Sequence, residues 1–537
     1  MALPRPALRL RSAPPLVRLV NAHERPLDNA VAAARTCYSG KGIVYAEEVG
    51  GDLLETDEER ERAKESRDQL AKDIFAAGHH TVYQHAHFQF AIDRVSRHAL
   101  WAFFHAHPFY NSEQVSQRYV KVGRGATLVP ELDDPAAQAL FEGTLALQEA
   151  AYHRLTESLS PIAARLFFGV FSARARSPEK WKREIRRKAQ EAARYVLPVA
   201  TWARLHHSIS AITLLRYRRA CEQYDVPSEV RLVVDAMLEA VLALDPDFRV
   251  VVDDPIPLGE TPEARALAAA GGLIDPARAS AFREEFDADL DGRVSRLVAY
   301  SPDAEAVVAE AVREVLGLPR AAMADDDALA LAVDPAANAI FGEALNLTTL
   351  SKLTRALHHA SYTFRRKLSH SADSQDQRHR MTPASRPVLL AHLTGEPDVV
   401  YPQIALEDDA VRRDFDETFA RTWEAVEQLR RMEVDPEALV YLLPNAVAVR
   451  FTESGDYSAI RHKHAMRLCY NAQEEIWRAS LDEALQIREA NPRIGPWLLP
   501  PCTLRHHAGV RPVCPEGDRF CGVIVWKQDA AQYVRTL

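Results

Sequence analysis

One stretch of the chain lies without a gap over a later stretch, and that self-similarity constrains the fold more than any other feature. "EAARYVLPVATWARLHHSISAITLLRYRRACEQYDVPSEV" from Glu191 matches "EALVYLLPNAVAVRFTESGDYSAIRHKHAMRLCYNAQEEI" from Glu437, with Leu-Pro, an Arg six residues past the proline and the final Glu in register. Two further pairs recur in the same order. "LVRLVNAHERPLDNAVAAARTCYSG" from Leu16 pairs with "RVSRLVAYSPDAEAVVAEAVREVLG" from Arg293, each a β-type run, a turn and an Ala/Val-rich amphipathic helix. "VSRHALWAFFHAHPFYNSEQVSQRYV" from Val95 pairs with "LTRALHHASYTFRRKLSHSADSQDQRHRM" from Leu353, where an apolar and aromatic helix enters a polar loop. Ala-rich helices resemble one another by chance, which would explain the Leu16/Arg293 pair alone. A shared order across three blocks indicates a tandem duplication.

The boundary falls in the Asp-, Pro- and Gly-rich stretch "DDPIPLGETPEARALAAAGGLIDPARAS", which suits an exposed linker. The expected organisation is a leader over 1–15, a first copy over 16–250, a linker over 251–288, a second copy over 289–500 and a tail over 501–537. At 537 residues the chain exceeds one ordinary core, in keeping with two domains. The expected fold class is α+β, each copy a helix-rich domain with a small mixed sheet supporting its polar loop.

Composition excludes several classes of function. A net charge of -9 argues against a general nucleic-acid partner, because polyanion binding draws on clustered Lys and Arg. The basic run "KWKREIRRK" at Lys180 to Lys188 has only Trp181 as a stacking residue nearby, so it reads as a solvated, salt-bridged helix face, one that anionic folate tails could also use. No segment approaches the roughly 20 apolar residues needed to span a bilayer, so no membrane partner is expected. The opening "MALPRPALRLRSAPPLVRLV" is Arg-rich and acid-free but has no apolar h-region, so it reads as a frayed leader. Six cysteines form no disulfide framework, which makes the reducing cytoplasm the expected location. Cys502, His506, Cys514 and Cys521 lie close together in a Pro/Gly-rich tail, a composition that a structural zinc could staple.

Four motifs resemble the flavin-dependent thymidylate synthases, over roughly 16–250 and 289–500. "NAVAAARTCYSG" looks like that family's first helix and following turn. "HHTVYQHAHFQFAIDRVSR" looks like its histidine-started turn and strand, with Gln84 where the family usually has Glu. "EQVSQRYVKV" looks like the end of its signature, and "AMRLCYNAQEEI" like its terminal helix with a substrate arginine. The resemblance implies a synthase making thymidylate from deoxyuridylate with FAD, NADPH and methylenetetrahydrofolate, or a close relative acting on ring carbon five of a uridine nucleotide. It requires no cysteine nucleophile; the protein positions ligands and supplies charge, and guanidinium forks match phosphate oxygens.

Carried over residue by residue, the resemblance makes Ser116, Arg118, Arg194, Arg378 and Arg467 substrate contacts. Glu113 becomes the signature acid and Ser371 its central serine. His79, Thr81, Gln84, His105 and His107 lie against flavin. The family's Arg-His-Arg triplet reads His105-Ala106-His107 in copy one and is expected as Arg366-Lys367-Leu368 in copy two. Losses are partly complementary, with Arg194 opposite Val440 and Arg467 opposite Cys221. Because the family builds each site from several subunits of a homotetramer, the resemblance implies a fused pair that self-associates into a homodimer. The alternative is a degenerate paralogue that binds nucleotide or flavin as a scaffold or regulator. Trp101, within an aromatic cluster at helical spacing, is expected in the core.

Overall fold

A computed structural model describes residues 8–107, 109–224, 226–343 and 351–537. The fold is α+β. Strands β1 (Leu16–Ala22), β2 (His87–Ser96), β3 (Tyr110–Gln114) and β4 (Trp202–Ser210) form one four-stranded sheet in the order β1-β2-β4-β3. Strands β5 (Ser295–Tyr300), β6 (Ser361–Ser369), β7 (Ala384–Ser385) and β8 (Ala448–Asp456) form a second in the order β5-β6-β8-β7. The topology is therefore duplicated along with the sequence. Every pairing is antiparallel, where a mixed sheet was expected.

The chain divides into two compact units, each of which includes a segment from the other half of the sequence. Unit 1 comprises Met1–Ala146, Pro198–Ile274 and Ala425–Leu443; unit 2 comprises Leu147–Leu197, Asp275–Glu424 and Pro444–Leu537. In unit 1, Phe88, Phe90 and Ile92 alternate inward along β2 and pack with Val230, Val233, Val234 and Met237 of the helix Ser228–Leu244. Trp101 is buried as expected. In unit 2, Tyr362 and Phe364 of β6 pack with Val308, Val312, Leu329 and Ile487.

Both flanking segments differ from the sequence expectation. The first seven positions of the leader lie outside the described residues, but the backbone of Arg9 to Ser12 hydrogen-bonds to Val129 and Glu131, so this part is fixed against unit 1. The linker carries the helices Pro262–Ala269 and Pro276–Leu290. The second of these aims Asp287 at Arg450 (2.8 Å) and Lys367 (2.7 Å) in unit 2.

A buried carboxylate clasp recurs in each unit. Ser369 ends β6 and caps the next helix through Ala372 N–H (3.0 Å), while its own N–H and hydroxyl donate to Glu475 at 2.5 and 2.7 Å. The Tyr195 hydroxyl also donates to Glu475. In unit 1, Ser96 caps through Ala99 N–H (2.9 Å), its N–H donates to Glu229 (2.6 Å), and Tyr441 also donates to Glu229. Tyr195 and Tyr441 are equivalent positions of the repeat, each supplied by the exchanged segment.

Unit 1 also contains a ladder of stacked rings beside β4. His105 stacks on Tyr110 (5.5 Å, 14°), Tyr110 on His207 (5.6 Å, 23°) and His207 on Tyr217 (5.9 Å, 21°), with 3.1 Å between His207 Nε2 and the Tyr217 hydroxyl. Burial lowers the pKa of His98 and His207 to about 3, and burial with Arg216 lowers that of His107 to about 4.

Removing the Tyr195 hydroxyl leaves a buried carboxylate short of one donor, so Tyr195→Phe is expected to cost about 1–3 kcal/mol in denaturant unfolding; an unchanged midpoint would show that the clasp carries no stability. The three histidines are neutral in the fold, so the unfolded chain binds more protons below the ordinary histidine value of 6.5. Their stabilisation is full above pH 6.5 and lost as pH falls toward 4 and below. Glu229, raised by burial to about 7, works in the opposite direction. Melting temperature followed from pH 7 to 4.5 is expected to fall less steeply in His207→Gln than in the parent, by up to about 1.4 kcal/mol per pH unit; parallel slopes would exclude His207.

Candidate functional site

The clasp fixes the register that identifies equivalent site positions. Ser96 and Ser369 both end a central strand, both cap a helix and both meet the same repeat glutamate. Nine residues on lie His105 and Arg378. The counterpart of His105-Ala106-His107 in this register is therefore Arg378-His379-Arg380. Arg366-Lys367-Leu368, expected in that role, lies within β6, with Arg366 fully buried. Ser371, expected as the signature's central serine, is buried in the first turn of the helix His370–Asp376. Arg378 opens the triplet instead of closing the signature. The letters Arg-His-Arg stood in the sequence; the misplacement came from aligning the loop by its last arginine.

In unit 1 the expected flavin contacts His79, Thr81 and Gln84 are exposed on the turn His79–Gln84, which is anchored by the Tyr83 hydroxyl on the Ala71 carbonyl (2.7 Å). His105 is buried in the ring ladder and His107 is half-buried. Glu113 is exposed on β3; Ser116 and Arg118 follow in the next turn, where Arg118 is buried and its backbone N–H donates to the Ser116 hydroxyl (3.3 Å).

Unit 2 holds the other arginines. Arg194, at the end of the helix Lys182–Ala193, is buried and donates to Gln473 (2.6 Å), while the Asn445 amide donates to its carbonyl (3.0 Å). Arg467, at the end of the helix Tyr457–Arg467, donates to the Gln375 carbonyl (2.6 Å), and its Nε lies 3.5 Å from Asp376. The His379 ring meets His462 (5.8 Å between centroids); burial and Arg467 hold its pKa well below the ordinary histidine value. Arg380 is exposed and Arg378 half-buried. A shallow cleft opens beside Tyr195 and Gln473, lined also by Lys188 and Gln403 but by neither Arg378 nor Arg467. It is distinct from the arginine turn.

Behind Arg467 is a fully buried ion network. Arg366 meets Asp376 (2.5 Å), Glu453 (3.1 Å) and Glu483 (2.9 Å); Lys463 meets Asp376 (3.1 Å) and also bonds Glu453; His464 meets Glu483 (2.8 Å). Burial pushes the Asp376 and Glu483 pKa values up, but the cations outweigh it. Lys463, Arg366 and Arg467 hold Asp376 well below the carboxylate range, and Arg366 and Lys463 bring Glu483 to about 2. In unit 1 the equivalent positions of Arg366, Asp376, Glu453, Lys463 and Glu483 are Ile92, Phe103, His207, Tyr217 and Met237, all buried. One scaffold thus carries charge in unit 2 and rings in unit 1.

The structure gives no support to the zinc site expected at Cys502, His506, Cys514 and Cys521. Among the described residues no three His, Cys, Asp or Glu side chains gather as metal ligands, and all six cysteines are free thiols. Cys502 packs on an apolar cluster of Trp477, Leu504, Val525 and Tyr533, while His506 points out beside His507. That cluster, with Tyr470 donating to the Val534 carbonyl (3.0 Å) and Asn471 to the Arg519 carbonyl (2.8 Å), staples the tail instead. No helix among the described residues is long and apolar enough to cross a membrane.

Comparison with known proteins agrees with the duplicated sequence. The family described as thymidylate synthase complementing protein matches residues 18–247 and again 296–493. A flavin-dependent thymidylate synthase of Clostridium tetani (strain Massachusetts / E88) is 27% identical over 236 residues, spanning 43% of this chain and 84% of that protein. Another, of Mycobacterium marinum (strain ATCC BAA-535 / M), is 31% identical over 187 residues, spanning 33% of this chain and 68% of that protein. Among solved structures, a UMP/dUMP methylase PolB from Streptomyces cacaoi bound with 5-Br dUMP aligns at 18% identity and a TM-score of 0.31, over 45% of this chain and 96% of that one. The family match covers most of the chain in two successive segments, and the chain belongs to the thymidylate synthase complementing protein family, whose domain it carries twice.

Proposed function

We propose that the chain is a flavin-dependent thymidylate synthase, methylating ring carbon five of deoxyuridylate, with one nucleotide site per chain. The observation that carries this reading is the concentration of family arginines in unit 2. Arg194, Arg378-His379-Arg380 and Arg467 all belong to it, whereas the equivalent positions of unit 1 are Val440, His105-Ala106-His107 and Cys221. Losses that look complementary along the sequence thus fall on one side, because Arg194 enters unit 2 with the exchanged segment.

In this reading Arg194, Arg378 and Arg467 grip the nucleotide through charge-assisted hydrogen bonds, and His379 and Arg380 face the flavin. Bound reduced flavin would supply the hydride, with methylenetetrahydrofolate as one-carbon donor and NADPH as reductant. The half-buried and exposed cations of the triplet suit an anionic cofactor. His79, Thr81 and Gln84 for flavin, and Glu113, Ser116 and Arg118 for nucleotide, are the family positions of copy one in unit 1, which keeps the closing part of the signature, and they would act only if unit 1 also binds nucleotide. Two chains together would carry four copies of the domain, the number in the family's homotetramer, and the cytoplasm suits the free thiols. The scaffold alternative draws on the loss of the arginine triplet in unit 1.

The protein is expected to take up FAD, to shift its visible spectrum on addition of deoxyuridylate, and to bind one nucleotide per chain by calorimetry. Arg194→Ala should weaken that binding about 10- to 100-fold while Val440→Ala leaves it unchanged. Two nucleotides per chain would assign function to both units. Binding without thymidylate formation would favour the scaffold, and no flavin uptake at saturating FAD would end the synthase reading.

A further inference from the structure

Asp376 joins the buried ion network of unit 2 to the arginine turn. It ends the helix His370–Asp376, is fully buried, and stands two residues before Arg378. Its Oδ2 is held by Arg366 (2.5 Å) and Lys463 (3.1 Å), and its Oδ1 lies 3.5 Å from Arg467 Nε. Arg467 is held from a second side by the carbonyl of the adjacent Gln375 (2.6 Å).

The charges explain why this hold would be useful. Asp376 shares Arg366 and Lys463 with Glu453 and Glu483, and Arg467 adds a further cation at the edge of the network. An arginine oriented by one carboxylate and one carbonyl loses little further side-chain freedom on meeting a ligand. Because Asp376 makes its shorter contacts to Arg366 and Lys463, Arg467 is steered without being claimed as a tight pair. Unit 1 makes the contrast: the position equivalent to Asp376 is Phe103, and that equivalent to Arg467 is Cys221, so the orienting acid and the arginine are both missing from it.

We infer that Asp376 is a positioning residue that orients Arg467 toward the nucleotide phosphate. This rests on the nucleotide reading of unit 2. Its distinguishing property is dependence on Arg467, which a purely structural role would not show.

The test measures deoxyuridylate affinity by calorimetry, and melting temperature, in the full chain and in Asp376→Asn, Arg467→Ala, the double variant and Glu453→Gln. Asp376→Asn is expected to weaken binding about tenfold in the parent and hardly at all in the Arg467→Ala background, while Glu453→Gln, elsewhere in the same network, lowers melting temperature without moving affinity. Additive losses, or equal affinity losses from Asp376→Asn and Glu453→Gln, would overturn the inference. Should Asp376→Asn not fold, Arg467→Lys keeps the charge but cannot hold both Asp376 and the Gln375 carbonyl. Affinity at the parent level in that variant would equally overturn the inference, and a tenfold loss would support it. Failure of the parent protein to bind deoxyuridylate would be failure of the nucleotide reading itself, a different result from additivity among binding-competent variants.

Discussion

The hydrogen bonds of one buried glutamate per unit set the geometry on which the rest depends. Glu475 accepts from the backbone and hydroxyl of Ser369 and from Tyr195; Glu229 accepts from Ser96 and Tyr441. A carboxylate removed from water is costly unless its lone pairs are satisfied. Here the donors come from the end of a central strand and from a tyrosine carried in by the exchanged segment. Satisfying the glutamate therefore fixes three things together: where the strand stops, where the helix after it begins, and where Leu197 or Leu443 must run. The triplet nine residues beyond each serine inherits its position from that arrangement.

On this common frame the two units solve the same interior differently. Five buried positions hold Ile92, Phe103, His207, Tyr217 and Met237 in unit 1, and Arg366, Asp376, Glu453, Lys463 and Glu483 in unit 2. The ring ladder makes its contacts by stacking and dispersion and keeps His207 neutral. The ion network retains charge only because every member has an opposite partner; removing one partner from such a cluster is far more costly than replacing the whole by apolar groups. Intermediate mixtures are disfavoured, so the five positions are expected to change as a set. The charged solution persists in the unit that also keeps the family arginines, where a buried field can act on an arginine at its edge.

Much of this was legible in the sequence. The order of three repeated blocks gave the duplicated sheets, and the ungapped third block gave β4 and β8 with their following helices. Trp101 in the core and Arg194 and Arg467 as a distinguishing pair could also be read from residues alone. Three features could not. The exchange of segments is a long-range choice that no local pattern records, so the direction of the apparent complementarity between Arg194 and Arg467 was invisible. Strand β2 carries a bulge, with Arg94 at φ 59, that β6 lacks, and this one-residue difference disturbs any alignment of the loops from one end only. The tail's cysteines suggested a metal because composition cannot show that Trp477, some 25 residues upstream, would provide an apolar anchor.

A duplicated chain is released from the symmetry that a homo-oligomer imposes on every copy of a site. Under the proposed nucleotide reading, with Arg194 and Arg467 in the same unit, selection on binding would act on one of each repeated pair, and Val440 and Cys221 would be free to become packing residues. Cys221 is buried and Val440 lies beside Tyr441, whose bond to Glu229 unit 1 still requires. The half that gives up charge thus keeps the clasp: its carboxylate holds the strand, cap and exchanged segment of unit 1 together whether or not a ligand binds there. Loss of arginines on one side is then a consequence of where the exchange places them, and does not by itself indicate decay of the whole protein.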